Sequence, residues 1–402
     1  MLKVLKNKMQ STIDKYNLEA SHTTTLFKNK ESFDFDYIPS EIHPRPEIEE
    51  LVQELRSFVK YRVPEHILLI GGPGTGKTAI FNYLAKNQLV KIKNIQVYYV
   101  NCRFFDTTHK VICKLSGVNP RGIPTNEALN IFFEKQKCDC IIAIDEVDKL
   151  DTLPLQKLRS NLLYYFSRPG EITSNKFTHK ISLVLISNVI SWYNELLVND
   201  PATASSLQLI KIVFPQYSLT DILRILELKA KEGLVGGCYD NEILEYISKL
   251  VNEKTHGDTR IGIMTLKLAV KYLENNGLHK LTKEIINQVY TKAILEVERE
   301  TIEKLNPTVI KILYSCAIAG QIDSANSIYN HVYVPLCKNK LNQEPLAYVQ
   351  FMNHLSYLTT MNLITSESEK KGRTRIKKIY LKTDKRIVET IWAIQLKNGW
   401  LT

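Results

Sequence analysis

Eight consecutive residues, Gly71 to Thr78 (GGPGTGKT), carry the clearest chemistry in the chain. Glycines at this spacing let successive backbone N–H groups turn toward one anion with no Cβ in the way. Gly72, Pro73, Gly74, Thr75 and Gly76 are therefore expected to curl around phosphate oxygens, Lys77 to reach the β and γ phosphates, and Thr78 to hold Mg²⁺. A helix expected from Ala79 adds its positive end to the same anion. Two acids, Asp145 and Glu146, close the apolar run CIIAIDEVDKL. After an isolated strand such a pair is usually a solvated loop. Downstream of a phosphate loop on a parallel sheet, Asp145 is expected to hold Mg²⁺, directly or through water, and Glu146 to polarise an attacking water. Asn188 ends a further apolar run, ISLVLISN, and either hydrogen-bonds a γ-phosphate or lytic water or simply terminates a strand. Arg260, in HGDTRIG, is either a cation reaching the nucleotide from a helical segment or a surface arginine near a helix start.

These groups need a scaffold that brings distant segments to one edge. Ile67 to Ile70, Ile95 to Cys102, the run ending at Asp145 and Ile181 to Asn188 read as strands separated by helical stretches, which indicates a parallel sheet with crossover helices. Pro39, Pro44 and Pro46 force an extended approach to a helix with apolar spacing at Ile48, Leu51, Val52 and Leu55. That approach segment is positioned to lie over the base of a bound nucleotide. Thr125 is expected to cap a helix near the turn GVNPRGIPTNEAL. From about Tyr217 four amphipathic helices follow, and near Asn306–Pro307 three helical segments lead into a strand-turn-strand. The expected division is a polar tail over 1–30, a nucleotide-binding core over 31–216, a helical lid over 217–300 and a winged-helix unit over 301–402.

In the last unit, Val349, Met352, Leu355 and Leu358 recur at helical spacing, leaving Tyr348, Gln350, Asn353 and His354 on the open face. Such a face suits a recognition helix, and equally an ordinary amphipathic helix. The following turn concentrates Lys370, Lys371, Arg373, Arg375, Lys377 and Lys378 around Gly372, as a wing contacting phosphates or a minor groove requires. A net charge of +11 over 402 residues also favours an anionic partner, nucleic acid above all. Seven cysteines without a C-x-x-C pair argue against a zinc site or disulfide framework and for a reducing cytoplasm. No segment has the length and apolarity of a membrane span or a signal-peptide core, so no membrane partner is expected.

The order of YIPSEIHPRPEIEEL, VNCR, IDEVDKL, LISN, DPATASSL, VFPQY and HGDTR, followed by a hairpin with GRTR, resembles the archaeal Orc/Cdc-type replication initiators. These are AAA+ relatives of the eukaryotic origin-recognition subunits and the division-cycle helicase-loading factor. The resemblance implies an α/β AAA+ fold, with a parallel αβα P-loop core, a helical lid and a C-terminal winged helix-turn-helix. It further implies ATP or ADP with Mg²⁺ as cofactors, slow hydrolysis acting as a switch, and double-stranded origin DNA, the replicative helicase and related initiator subunits as partners. Tyr37, Ile38 and Pro39 fall where the family wraps adenine, Tyr217 where a tyrosine lines the nucleotide, and Lys229 where the family more often has arginine. Asn188 and Arg260 match its two sensors, and Arg121 with Gly122 a DNA-contacting insertion. Ala202 and Ala204 depart from the family, occupying places expected to be basic and to serve a neighbouring subunit's ATP. Two other classes fit the same parts: a STAND-like regulatory ATPase, whose repeat arrays would be expected beyond Thr402, and an ATP-binding transcriptional or plasmid regulator.

Overall fold

Apolar runs of four to seven residues flanked by Gly, Asn and Asp suit strands buried on both faces, and here they pair side by side. The computed structural model describes residues 25–399 apart from 151–158, 174–176, 190–191, 256, 304, 321–322, 362 and 372–373. Strands β1 (Ile67–Ile70), β2 (Ile95–Asn101), β3 (Asp139–Asp145), β4 (Ile181–Ser187) and β5 (Ile210–Val213) form one parallel sheet in the order β2-β3-β4-β1-β5. Ile70 lies beside Ser187 and Val213, and Asp145 beside Asn101 and Ile186. This register delivers Gly71, Glu146 and Asn188 to a single edge. Alternation along the strands splits the core. Leu68, Ile70, Ile142, Ile144, Leu183 and Leu185 pack on one face, and Ile67, Leu69, Ile141, Ala143, Val184 and Ile186 on the other. Helices α1 (Pro46–Tyr61) and α2 (Lys77–Asn87) cover the second face; α3 (Thr108–Ser116), α4 (Thr125–Lys135) and α5 (Arg159–Ser167) cover the first. The sheet is thus sandwiched in an αβα core.

One local expectation needs correction. Pro124, not Thr125, occupies the N-cap of α4, and the Thr125 hydroxyl meets His109 Nδ1 at 3.1 Å instead. Proline's fixed extended backbone suits the cap position, which leaves the threonine one residue inside the helix. Residues 26–29, within the expected polar tail, also engage the lid. Leu26 accepts a backbone hydrogen bond from Val235, while Lys28 and Asn29 both donate to the carbonyl of Gly233.

Beyond the core lies the lid, built from α6 (Leu219–Gly233), α7 (Asn241–Thr255), α8 (Thr259–Asn276) and α9 (Lys283–Glu303). Its start is fixed by a capping box in which Ser218 and Asp221 satisfy each other's backbone N–H groups. Along α9 the hydrophobic core changes hands, Val297 belonging to the lid and Ile302 to the C-terminal unit. That unit holds α10 (Pro307–Ala319), a π-helical stretch at Ile328–Tyr333, α11 (Tyr348–Thr360), α12 (Lys385–Lys397) and a sheet in the order β6 (Asp323–Ser324), β8 (Thr374–Leu381), β7 (Ile364–Lys371). In α11 the buried residues are Phe351, Leu355 and Leu358, whereas Val349 is 69% exposed. The expected apolar stripe is therefore shifted, because Phe351 fills the space against Tyr329 and Tyr333. The β7–β8 hairpin sets Lys370 opposite Arg375 and Lys371 opposite Thr374.

The N-terminal strap depends on a missing side chain. A Cβ at Gly233 would collide with the Ser32 hydroxyl and the ring of Phe33, which is fully buried in the lid core. Gly233→Ala is therefore expected to dislodge the strap at a cost of about 1–3 kcal/mol. Limited proteolysis should show faster cleavage within residues 25–37, while hydrogen exchange in α7 and α8 stays at the wild-type rate.

Candidate nucleotide site

Lys77 is the residue the site is built around. It is 4% exposed, and its ammonium donates to Gly71 O at 2.8 Å, Gly72 O at 2.9 Å and the Thr75 hydroxyl at 3.2 Å. Burial pushes its pKa down to about 8, against the opposing pull of Asp145 and Asp148. The three acceptors are ones a lysine can exchange for phosphate oxygens. Around it the loop leaves no room for side chains. A Cβ on Gly71 would strike the carbonyl of Phe214, one on Gly74 the carboxylate of Asp258, and one on Gly76 the Tyr217 hydroxyl. Gly74 and Gly76 also sit at φ +75° and +86°, where only glycine is unstrained. Helix α2 begins at Lys77, so the N–H groups of Lys77, Thr78 and Ala79 head the helix above this cradle.

Asp145, 3% exposed, ends β3 directly beside the loop. One of its oxygens accepts from the Thr78 hydroxyl at 2.9 Å and the Tyr99 hydroxyl at 2.6 Å; the other accepts from the backbone N–H of Glu146 at 2.8 Å. Burial raises its pKa in spite of these donors. A hydroxyl and a carboxylate in contact form a hard-oxygen pair of the kind Mg²⁺ takes together with phosphate and water, so the residues fit that ion. Glu146 has φ +50°, a left-handed conformation unusual outside glycine, and its side chain pairs with Arg103 at 3.3 Å. Burial again raises its pKa, opposed chiefly by Arg103. Asp148 ties the acidic loop to the end of β4, accepting from the Ser187 hydroxyl at 2.9 Å and from the backbone N–H of Asn188 at 3.3 Å. Asn188 thereby stands on the same edge as the acids.

From the lid, Thr259 donates to Gly74 O at 3.0 Å, and Asp258 holds the Arg260 guanidinium at 3.0 and 2.7 Å. Arg260 is thus paired on the loop's lid side rather than free. Tyr217 lies on Gly76, with the Arg45 guanidinium 4.6 Å from its ring. Arg45 also donates to Thr75 O at 3.0 Å. Tyr37, Ile38 and Pro39 are half-buried, and the Tyr37 hydroxyl donates to Glu232 at 2.8 Å. Lys229 donates to Ser32 O at 2.6 Å and lies 5.2 Å from the Tyr37 ring, so its ammonium engages the strap and not the loop. Tyr99, Arg45, Arg103 and Asp258 carry no role that the sequence alone assigns, although each lies in a stretch that stands out there: the strand Ile95–Cys102, the prolines ahead of the loop, VNCR and HGDTRIG.

The nucleic-acid candidates are scattered. Arg121 is exposed on a turn beside a hollow of about 290 Å³ lined by Phe104, Lys110, Lys114 and Pro120. Tyr348 packs edge-on to Tyr329, Asn353 is exposed and His354 half-buried. Lys371, Arg375 and Lys377 stand on the two strands of the hairpin; Arg373 lies outside the described residues.

Residues 67–193 match the model of the ATPase family associated with various cellular activities, and residues 313–391 that of the CDC6 C-terminal winged helix domain. The ORC1-type DNA replication proteins of Thermococcus onnurineus and Sulfurisphaera tokodaii are each 28% identical to the chain. The first match covers 96% of this chain and 94% of the relative, the second 91% and 92%. Among solved structures, the Aeropyrum pernix ORC1 protein in complex with DNA superposes with a TM-score of 0.68 at 24% identity, over 94% of this chain and all of that one. The A. pernix ORC2 protein in its ADPNP–ADP complexes gives 0.61 at 22%, over 93% and all. Fold and site define an AAA+ protein with a helical lid and a Cdc6-type winged helix. Within that class the chain is similar over nearly its whole length to the ORC1-type DNA replication proteins.

A phosphate group in the loop favours the charged form of Lys77, whose pKa without ligand is about 8. Binding should therefore take up a proton above that pH, and ADP affinity should fall by about tenfold per pH unit beyond it. Calorimetry in buffers of different ionisation enthalpy reads this uptake directly. Lys77→Arg, which stays charged, should lose the Lys77 contribution to the slope whatever its absolute affinity.

Proposed function

We propose that the chain binds ATP and ADP with Mg²⁺, grips double-stranded origin DNA with its winged helix, and uses its nucleotide state as the switch between two lid positions. The observation that carries the switch is the direct seat of the lid on the phosphate loop, Thr259 on Gly74 O and Asp258 against Gly74. A γ-phosphate arriving beside Gly74 competes for Arg260 with Asp258, so occupancy and lid angle are linked. Thr78 and Asp145 would hold the Mg²⁺, which offsets phosphate charge when bound. Glu146 would orient the attacking water once Arg103 releases it, and Asn188 would hydrogen-bond the γ-phosphate or that water.

Hydrolysis is slow in this reading. Ala202 is exposed and Ala204 buried, so neither offers a cation to a neighbouring subunit, and an arginine supplied in trans is worth several orders of magnitude in such enzymes. DNA binding is supported by the chain's charge of +11, the basic hairpin and the relatives' replication names. The replicative helicase and related initiator subunits are the proposed protein partners, and the cytoplasmic nucleoid the proposed location.

Replacing Lys371, Arg375 and Lys377 together by alanine should weaken duplex binding at all sequences and lower its salt slope by roughly three. Fluorescence anisotropy across a salt series measures both, and an unchanged slope would remove the wing from the DNA interface. Genome-wide mapping of the bound DNA tests the function itself: clustering at replication origins is expected, and clustering at promoters would instead favour a transcriptional regulator.

A further inference from the structure

The helix that precedes the hairpin touches the catalytic loop. Lys149, one residue beyond Asp148, places its ammonium 3.1 Å from the ring centre of Tyr357 on α11. Both side chains are well shielded: Lys149 is 13% exposed and Tyr357 half-buried. Lys149 also pairs with Asp148 Oδ2 at 3.4 Å, and that buried oxygen takes no well-formed hydrogen bond. Burial raises the Tyr357 pKa, with Asp148 and Glu146 adding to the rise and Arg103 opposing it. Tyr357 shares a helical stripe with Gln350, Asn353 and His354, the residues on the face that would read DNA. Asn353 is only about 6 Å away along the axis, so a duplex laid along this stripe and the core's acidic loop compete for the same space.

We propose that Tyr357 and Lys149 form a latch that docks the DNA-reading stripe of α11 on the hydrolytic loop, so that duplex binding and docking exclude each other and duplex binding accelerates hydrolysis. This rests on the duplex-binding and ATP-hydrolysing function proposed above and names its regulation. The direction follows from dielectric shielding. While the ring excludes water, Arg103 and Lys149 attract Glu146 and Asp148 strongly, and Glu146 stays ion-paired instead of orienting water. When the ring leaves, water weakens both pairs and Glu146 is freed. Tyr357 and Lys149 are positioning residues in this scheme, since neither touches the nucleotide.

The test compares Tyr357→Leu, which keeps apolar volume but loses the aromatic face, with Tyr357→Phe, which keeps the face. Hydrogen exchange without DNA or nucleotide reads the latch alone. The leucine variant should lose protection at 146–149 and 353–358 while α10 stays protected, and the phenylalanine variant should match wild type. In the leucine variant duplex affinity should rise about five- to thirty-fold, the worth of one desolvated cation–aromatic contact. Single-turnover hydrolysis without duplex should reach the rate the wild-type chain shows with saturating duplex. Lys149→Gln should reproduce the affinity gain from the other side of the contact. Equal exchange in the leucine and wild-type chains would overturn the latch. Released exchange with unchanged affinity and turnover would overturn the coupling and leave α11 reading DNA by another face. A wild-type chain that neither binds duplex nor hydrolyses ATP would sink the function proposed above, and the coupling with it, although its exchange pattern would still report the docking.

Discussion

An ammonium group buried at the carboxyl edge of a parallel sheet constrains most of what surrounds it. Lys77 cannot stay charged there without acceptors, and the structure supplies two loop carbonyls and the Thr75 hydroxyl. Those acceptors lie within reach because the loop doubles back through left-handed glycines at Gly74 and Gly76. The same turn leaves bare backbone that neighbouring segments approach to contact distance. Phe214 after β5, Tyr217 at the start of the lid and Asp258 beside α8 all occupy places where a Cβ would stand. One buried charge therefore fixes the loop, and the loop fixes where three remote segments dock.

The acidic side of the site has the opposite sign and a similar logic. Asp145 is surrounded by donors from three elements: Thr78 on α2, Tyr99 on β2 and the peptide N–H of Glu146. Asp148 extends the network to Ser187 at the end of β4 and to Asn188 just after it. Removing a donor from such a cluster leaves a buried carboxylate short of partners, which costs more than the lost bond itself. Residues with no place in a phosphate-loop motif, Tyr99 above all, are thereby tied to its chemistry. The Glu146–Arg103 pair belongs to the same economy, in which each acid is held by a neighbour that a ligand can replace.

The lid and the N-terminal strap show how the site is joined to the rest of the chain. Arg45 lies between the aromatic rings of Phe214 and Tyr217 while donating to Thr75 O, so the extended approach, the sheet edge and the loop meet at one guanidinium. Lys229 and Glu232 of α6 hold the strap through Ser32 and Tyr37. These contacts place the approach segment along the lid, and they involve polar groups on residues far apart in sequence. At the far end, Thr383 donates to the half-buried Glu298 of α9 at 2.8 Å, joining the C-terminal unit to the lid's last helix.

From the sequence by itself came the phosphate loop, the acids after an apolar run, the parallel αβα core, a four-helix lid and a winged-helix end. Each rests on local information: glycine spacing, strand-length apolar runs, helical periodicity, caps and a concentration of charge. Strand β5 was not legible, because four residues, IKIV, are too few to show a period and are held as a strand only by pairing with β1. The register of α11 was misread because Val349 and Phe351 are both apolar, and only the space beside Tyr329 and Tyr333 decides which is buried. Nor does any local pattern say that Lys229 turns to the strap, that Arg260 is held by Asp258, or that Lys149 meets Tyr357 across more than two hundred residues. Such pairings are chosen by which side chains arrive at the same place once the sheet and helices have packed, and a one-dimensional pattern carries no record of that arrival.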